Sequence, residues 1–358
     1  MRPSFQTHIW QFRRHEISDK RIAVIGTGGT GSTIAGLLTK AGHDVTIIDQ
    51  WPDHVNTMND VGLHMATREE DFTVRVHALH LHEVCNITEQ FDIVFLACKS
   101  YDSLWMTQLI VPYLKSDGVL ISAQNSINDE WVAPLVGQTR EVGCVVTMSS
   151  EVFEPGRLKR NTAMEHTTFT LGESHGRITP RLLELQEILN DVGKTEVTGN
   201  LWGKRWSKLT FNSITAAVCA ISGAGPAIVM DDPRRVRCCL ALGAETLAVG
   251  KALGYNMEPV FGLSMEEAIE SPDKLVASFT KSARTEGLEA RSFFQQDILK
   301  GRKTEVDYIN GLIARKGKEA GVPTPMNEEA VKIVKKLETG ELVPDPENIV
   351  LFDEALAR

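Results

Sequence analysis

Six residues, Gly26-Thr27-Gly28-Gly29-Thr30-Gly31, constrain this chain more than any other stretch. They follow a short apolar run, Arg21–Gly26, that reads as a buried strand, and they lead into Ser32–Ala41, which reads as a helix. Gly42 is placed to end that helix, and Asp44–Asp49 reads as a second strand. In such a GxGxxG the first glycine permits a tight turn. The second lets the backbone approach a phosphate group with no Cβ in the way. The third lets helix and strand pack closely, and free backbone N–H groups at the helix N-terminus then face the phosphate. A bare GxGxxG is weak evidence, but here strand, loop, helix and second strand all occur in the required order.

This is the pattern of a Rossmann-type dinucleotide-binding unit, with Gly26, Thr27, Gly28, Gly29, Thr30 and Gly31 around the pyrophosphate. Asp49 closes the second strand, where a carboxylate can accept hydrogen bonds from the adenosine ribose hydroxyls and repel a 2′-phosphate. No basic residue follows directly in Asp49-Gln50-Trp51-Pro52-Asp53. The expected cofactor is therefore NAD, with NADP disfavoured.

Apolar runs and amphipathic stretches alternate onward. Val74–His80 reads as a weak strand, Asp92–Ala97 and Gly118–Ala123 as buried strands, and Trp105–Leu114 as a helix between them. This alternation predicts a parallel sheet covered on both faces. Val142–Ser149 and Glu151–Gly172 read as added strands, the latter antiparallel. Thr179–Val192 reads as a helix and Thr195–Thr198 as a last short strand. Beyond Asn200 helical periodicity dominates. The fold class expected is α/β: an N-terminal Rossmann domain with a parallel sheet, then an all-helical C-terminal domain. The divisions are an N-terminal extension (1–20), a dinucleotide-binding domain (21–199), a helical substrate and dimerisation domain (200–345) and a C-terminal tail (346–358), with LETGELVPDPENI read as a loop or poorly ordered end.

With 358 residues, 42% of them hydrophobic, the chain can build two cores. Its net charge of −9 argues against nucleic acid as a partner. No apolar run reaches the ~18 residues of a membrane span, and the charged N-terminus has no signal-peptide core. The six cysteines lack metal-site spacing and read as buried small hydrophobes in a reducing compartment. A cytoplasmic protein acting on a small molecule is expected, with no metal and with a homodimer left open.

In a parallel sheet, ligands bind beyond the carboxyl ends of the strands. Lys99-Ser100-Tyr101 and Gln124-Asn125-Ser126 emerge there. Within Leu201–Ile221, read as one helix, Lys204, Lys208 and Asn212 share a face, apart from Trp202, Trp206 and Leu209. Lys208 reads either as a surface lysine with its stem over the tryptophans or as a buried proton donor. In Gly301–Gly321, Thr304 and Asp307 form a capping-box pattern that places Glu305 in the first helical turn.

Together these segments resemble the ketopantoate reductase family over about residues 21–340. The matching stretches are IAVIGTGGTGSTIAGLLTKAGHDVTIID, DIVFLACKSYDS, the QN of SAQNS, LWGKRWSKLTFN, QQDILKGRKTEVDYING and EAGVPTPMNE. The resemblance implies reduction of a 2-oxo acid to a D-2-hydroxy acid with a nicotinamide cofactor, in a cleft between the two domains. It implies Lys208 as general acid, with Lys99 and Asn125 positioning cofactor and substrate. It further implies Asn212 on the substrate, Glu245 near the reacting centre and Glu305 on the cofactor. Two departures point away from ketopantoate itself. A family asparagine is Ala216 here, and a substrate-binding serine falls on Phe293, beside Ser292. The expectation is a bulkier or more apolar 2-oxo or 2-hydroxy acid, with Lys208 as general base if the alcohol is oxidised. Alternatives are a true ketopantoate reductase, a non-catalytic dinucleotide sensor, or an enzyme acting on a hydroxyacyl-CoA or a sugar acid.

Overall fold

The computed structural model describes residues 20–259, 262–264, 267 and 270–357. The N-terminal extension lies, but for Lys20, outside the described residues. The chain divides into two units. One runs through Gln124 and resumes over Asn128–Leu201. The other takes Asn125–Ile127 and everything from Trp202 onward.

The first unit is built on an eight-stranded sheet. Its strands are β1 (Arg21–Ile25), β2 (Asp44–Asp49), β5 (His77–His80), β6 (Phe91–Leu96), β7 (Leu114–Ser122), β8 (Glu141–Thr147), β11 (Thr168–Gly172) and β12 (Lys194–Thr198). Their order is β12-β11-β8-β7-β6-β1-β2-β5. All neighbours are parallel except β11 and β8, which run antiparallel. The order reverses at β1, with β2 on one side and β6 on the other, and such a switch point is where open α/β sheets bind ligands.

A second, four-stranded sheet has the order β4-β3-β10-β9, made of β3 (Leu63–Ala66), β4 (Asp71–Val74), β9 (Ser150–Glu154) and β10 (Arg157–Arg160). The strand expected over 74–80 is thus two strands. Val74 ends β4 in the small sheet, whereas His77–His80 pairs with β2 in the large one. The helix Gly29–Lys40 buries eight of its twelve residues, Gly31 to Leu38. Ile34, Leu37 and Leu38 share one core with Ile22, Val24 and Ile47 of the large sheet and with Leu63, Met65, Val152 and Leu158 of the small one. Apolar burial on both sides explains why this helix has no charged residue before Lys40.

The second unit is helical. Its long helix, Leu201–Ser222, is followed by Pro226–Val229, Pro233–Ala252, Pro272–Glu286, Phe293–Leu299, Asn310–Ala320 and Pro325–Thr339. Four of these begin with proline, whose missing N–H costs nothing at a helix start. The C-terminal segment is not a loose tail. Pro346–Phe352 forms a 3-10 turn and Asp353–Leu356 a helical turn, with Ile349 and Phe352 buried. The Asp345 backbone N–H and the Asn348 Nδ2 both donate to the Ile221 carbonyl, at 3.0 and 3.2 Å. The segment therefore closes the C-terminal end of the long helix. No described helix is long and apolar enough to cross a membrane.

Candidate functional site

The glycine loop rises from the end of β1 at the switch point. Gly26 has φ +86°, and a Cβ there would lie 2.6 Å from the Cys98 backbone. A Cβ on Gly31 would run into the Gly26 carbonyl oxygen. Gly29 lies against the opposite sheet, with Ser150 Oγ 2.5 Å and Ser150 O 2.6 Å from where its Cβ would stand. Gly28 differs from all three, since a Cβ there would meet no protein atom within 4 Å. Gly28 is also the N-cap of its helix, and no side chain caps the free N–H groups. An open, uncapped helix start with its neighbours packed to backbone contact is the cradle a pyrophosphate requires.

Asp49 is 7% exposed. Its Oδ2 accepts from the Thr27 backbone N–H and the Thr27 hydroxyl, the latter at 2.8 Å, and Oδ1 accepts from the Trp51 N–H at 2.8 Å. The carboxylate thus ties the glycine loop to the start of the helix Pro52–Val61. This bracing role was not legible in its position alone. Lys99 is half-buried and precedes the 3-10 turn Ser100–Asp102. Gln124 stays with this unit, its Nε2 donating to the Cys98 carbonyl and the Ser103 hydroxyl, both at 2.8 Å.

Asn125 belongs to the other unit. Its Oδ1 accepts from Asn212 Nδ2 at 3.2 Å. The next residue, Ser126, has φ +74°, the single positive φ at a non-glycine among the described residues. Its hydroxyl donates to the Tyr308 carbonyl at 2.6 Å. Strained backbone of this kind persists where the surroundings hold it and clusters at working sites. Asn212, 3% exposed, finds in Asn125 the partner that burial demands. Lys208, one turn earlier, is half-buried with its Nζ 4.3 Å from the centre of the Phe211 ring. Lys204, on the same face, is paired with Glu258 at 3.5 Å.

One expectation changes. The capping box of Thr304 and Asp307 does not form. The Thr304 N–H and hydroxyl both donate to Glu338 Oε1, at 2.8 and 2.6 Å, and Asp307 pairs with Lys335 at 2.6 Å. A carboxylate from a distant helix takes the reciprocal place, so Glu305 (2% exposed) precedes a 3-10 turn, Val306–Tyr308. Glu245 is engaged at a helix start. Its carboxylate accepts from the Met326 N–H (2.8 Å), the Asn327 N–H (3.0 Å) and Asn327 Nδ2 (2.7 Å), capping the helix Pro325–Thr339. Ser292 is likewise engaged, accepting from the Gln295 N–H at 3.2 Å as the N-cap of Phe293–Leu299. Phe293 stays half-buried, edge-on to Phe294.

Burial raises the pKa of Glu245 above the usual 4.5, against the pull of its three N–H donors. A carboxyl with a raised folded-state pKa contributes stability below its unfolded pKa and loses it as pH rises through the folded one. Relative to Glu245→Gln, the wild type should therefore lose stability as pH climbs above 4.5. Paired thermal melts across that window check this, and a wild type that gains stability relative to Glu245→Gln as pH rises would refute it.

Five cysteines are buried, and burial pushes the Cys219 thiol up to about 12, which suits packing and not nucleophilic chemistry. Among the described residues no cluster of His, Cys, Asp or Glu side chains could hold a metal ion.

Fold and loop together define a Rossmann-type dinucleotide-binding protein with a helical second domain. The family profile "Ketopantoate reductase PanE/ApbA" matches residues 22–175, and "Ketopantoate reductase PanE/ApbA C terminal" matches 200–338. The chain belongs to the ketopantoate reductase family of oxidoreductases. It is 26% identical over 325 residues to the 2-dehydropantoate 2-reductase of Archaeoglobus fulgidus, covering 90% of this chain and 99% of that one. Identity to the enzyme of the same name from Lactococcus lactis is 26% over 322 residues, 89% of this chain and 98% of that one. Among solved structures, a D-mandelate dehydrogenase bound to NADH and anilino(oxo)acetate matches with a TM-score of 0.78 at 22% identity, over 89% of this chain and 99% of that one. A ketopantoate reductase from Ralstonia eutropha JMP134 matches at 0.74 and 23% identity, over 90% and 99%.

Proposed function

We propose that this protein interconverts a 2-hydroxy acid and its 2-oxo form with NAD(H), Lys208 serving as the proton donor or acceptor. The carrying observation is Asn212, one turn after Lys208 on the helix Leu201–Ser222, buried and bonded to Asn125 at 3.2 Å. A bound nicotinamide supplies or accepts the hydride. Gly26 to Gly31 hold the pyrophosphate by backbone N–H groups, and Asp49 opposes a 2′-phosphate. Lys99 and Glu305 complete the cofactor's contacts. In reduction Lys208 protonates the oxygen on which charge develops, and in oxidation it takes the hydroxyl proton. Asn212 and Asn125 orient the substrate's carboxylate and oxygen.

The substrate we infer is larger or more apolar than ketopantoate. Ala216 supplies no amide, the Ser292 hydroxyl is committed to its helix cap, and Phe293 adds an aromatic ring. A missing partner costs a buried polar substrate group about 1–3 kcal/mol. The aromatic 2-oxo acid bound in the D-mandelate dehydrogenase structure accords with this choice. Ketopantoate itself is the second reading, favoured by the names of the relatives at 26% identity. Steady-state screening of 2-oxo and 2-hydroxy acids with both nicotinamide cofactors separates the two. We expect an aryl 2-oxo acid, or a branched one without ketopantoate's hydroxyl, to give the highest kcat/KM with NADH. A clear preference for ketopantoate with NADPH would overturn the proposal.

A further inference from the structure

Gln50, Asp102 and Trp105 form a bridge that the roles above leave unused. Gln50 follows Asp49 at the end of β2. Asp102 closes the turn that begins after Lys99, beyond the end of β6. Trp105 lies in the first turn of the helix Ser103–Ile110. Gln50 Nε2 donates to Asp102 Oδ2 at 3.3 Å, and Trp105 Nε1 donates to Asp102 Oδ1 at 2.8 Å. Since β1 lies between β2 and β6, the bridge passes across the end of β1, where the glycine loop starts. Neighbouring strands stand about 4.8 Å apart, so β2 and β6 are about 10 Å apart, a gap that one glutamine and one aspartate span only by meeting across it. Gln50 is exposed, Asp102 is half-buried and the Trp105 ring is 37% exposed.

The two carboxylates of this region differ in kind. Asp49 is buried, with both oxygens turned to the glycine loop and to Trp51. Asp102 is held from both sides yet open to water. Removing Asp49 disturbs the loop, whereas removing the charge of Asp102 leaves the loop's own bonds in place.

We propose that Asp102 is a specificity-determining residue that disfavours a phosphate on the adenosine 2′-oxygen, with Gln50 and Trp105 fixing its carboxylate. This rests on the dinucleotide reading of the site. A monoester phosphate carries a charge of about −1.5 to −2 near neutral pH, so a fixed carboxylate nearby repels it. In a half-exposed position that repulsion is moderate and weakens with salt, because the Debye length shrinks from ~10 Å at 0.1 M to ~3 Å at 1 M.

The test is a pair of dissociation constants, for NADH and NADPH, measured by calorimetry on the wild type, Asp102→Asn, Asp102→Ser and Trp105→Phe. The ratio of Kd for NADPH to Kd for NADH should fall about tenfold in both Asp102 variants, equivalent to ~1.4 kcal/mol, and by less in Trp105→Phe, which keeps the charge and loosens one of its two holds. Raising the salt should narrow the wild-type ratio more than that of Asp102→Asn. A ratio that stays within about twofold of wild type in both Asp102 variants would overturn the proposal, since ~0.4 kcal/mol is too little for a determinant. A wild type that itself prefers NADPH would defeat the NAD reading alone. A further fall of the ratio in the Asp102 variants would then still uphold this role.

Discussion

Lys208→Ala should lower kcat about 10²–10⁴-fold, the usual worth of a positioned proton-transfer group, while NADH still binds. No neighbour on the helix can stand in, because Lys204 is paired with Glu258 and Asn212 carries no titratable proton. The stability change should be small. Alanine gives up the attraction between Nζ and the Phe211 ring, worth about 0.5–1 kcal/mol at a partly exposed position. Arginine at 208 separates the two things a lysine can do. Its guanidinium keeps the positive charge but does not give up a proton at any working pH. If Lys208 transfers a proton, Lys208→Arg should stay within about tenfold of the alanine variant's kcat, and a small primary amine in the buffer should restore part of the alanine variant's rate but not the arginine's. Full activity in Lys208→Arg would reduce the lysine to an electrostatic anchor. Full activity in Lys208→Ala would return the non-catalytic sensor to first place.

What the sequence conveyed about this site depended on how local each constraint is. The glycine loop is a local motif, with strand, turn, helix and acidic strand end all inside thirty residues, so its order could be read directly. The helices of the second unit were legible for the same reason, since Pro226, Pro233 and Pro325 mark their own starts. The small sheet was not. Its β3 and β4 are four residues each, and β3 pairs with β10, which is far away in sequence. No periodicity within four residues can announce a partner that distant.

The same limit governs three polar residues. Asp49 and Thr304 stand where a local rule assigns a role, ribose acceptor and capping box, and Glu245 stands where the family resemblance places a glutamate near the reacting centre. In each, a contact from elsewhere takes some or all of the hydrogen-bonding capacity. For Glu245 that contact is the start of a helix 81 and 82 residues further on. For Thr304 it is Glu338, 34 residues on. The C-terminal segment misleads in the opposite sense. Its polar DPEN stretch reads as a tail, while Ile349 and Phe352, three residues apart, turn one apolar edge into the second unit. A buried carboxylate is therefore best assigned only after its acceptor sites are counted.

Gly28→Ala and Gly31→Ala should fail in different ways. Gly28 has φ −67° and ψ −159°, extended backbone that alanine adopts without strain, and its Cβ would meet no protein atom within 4 Å. Alanine is a poorer N-cap than glycine, which costs up to about 1 kcal/mol, or about 2–4 °C in Tm for a domain of this size. The new methyl group would stand where a pyrophosphate must approach the backbone. NADH affinity should fall at least ~100-fold, equivalent to ~2.7 kcal/mol. Gly31→Ala is the reverse case. Its Cβ would run into the Gly26 carbonyl oxygen and lie 3.3 Å from the Ala97 methyl, and neither a backbone oxygen nor a core methyl can swing aside. Overpacking of that kind costs about 3 kcal/mol, so the first unit should melt about 6–12 °C lower. Calorimetric melts and NADH titrations on the two variants give four numbers. The dinucleotide reading stands only if the binding loss in Gly28→Ala far exceeds its stability loss, because a loop that served packing alone would lose both together.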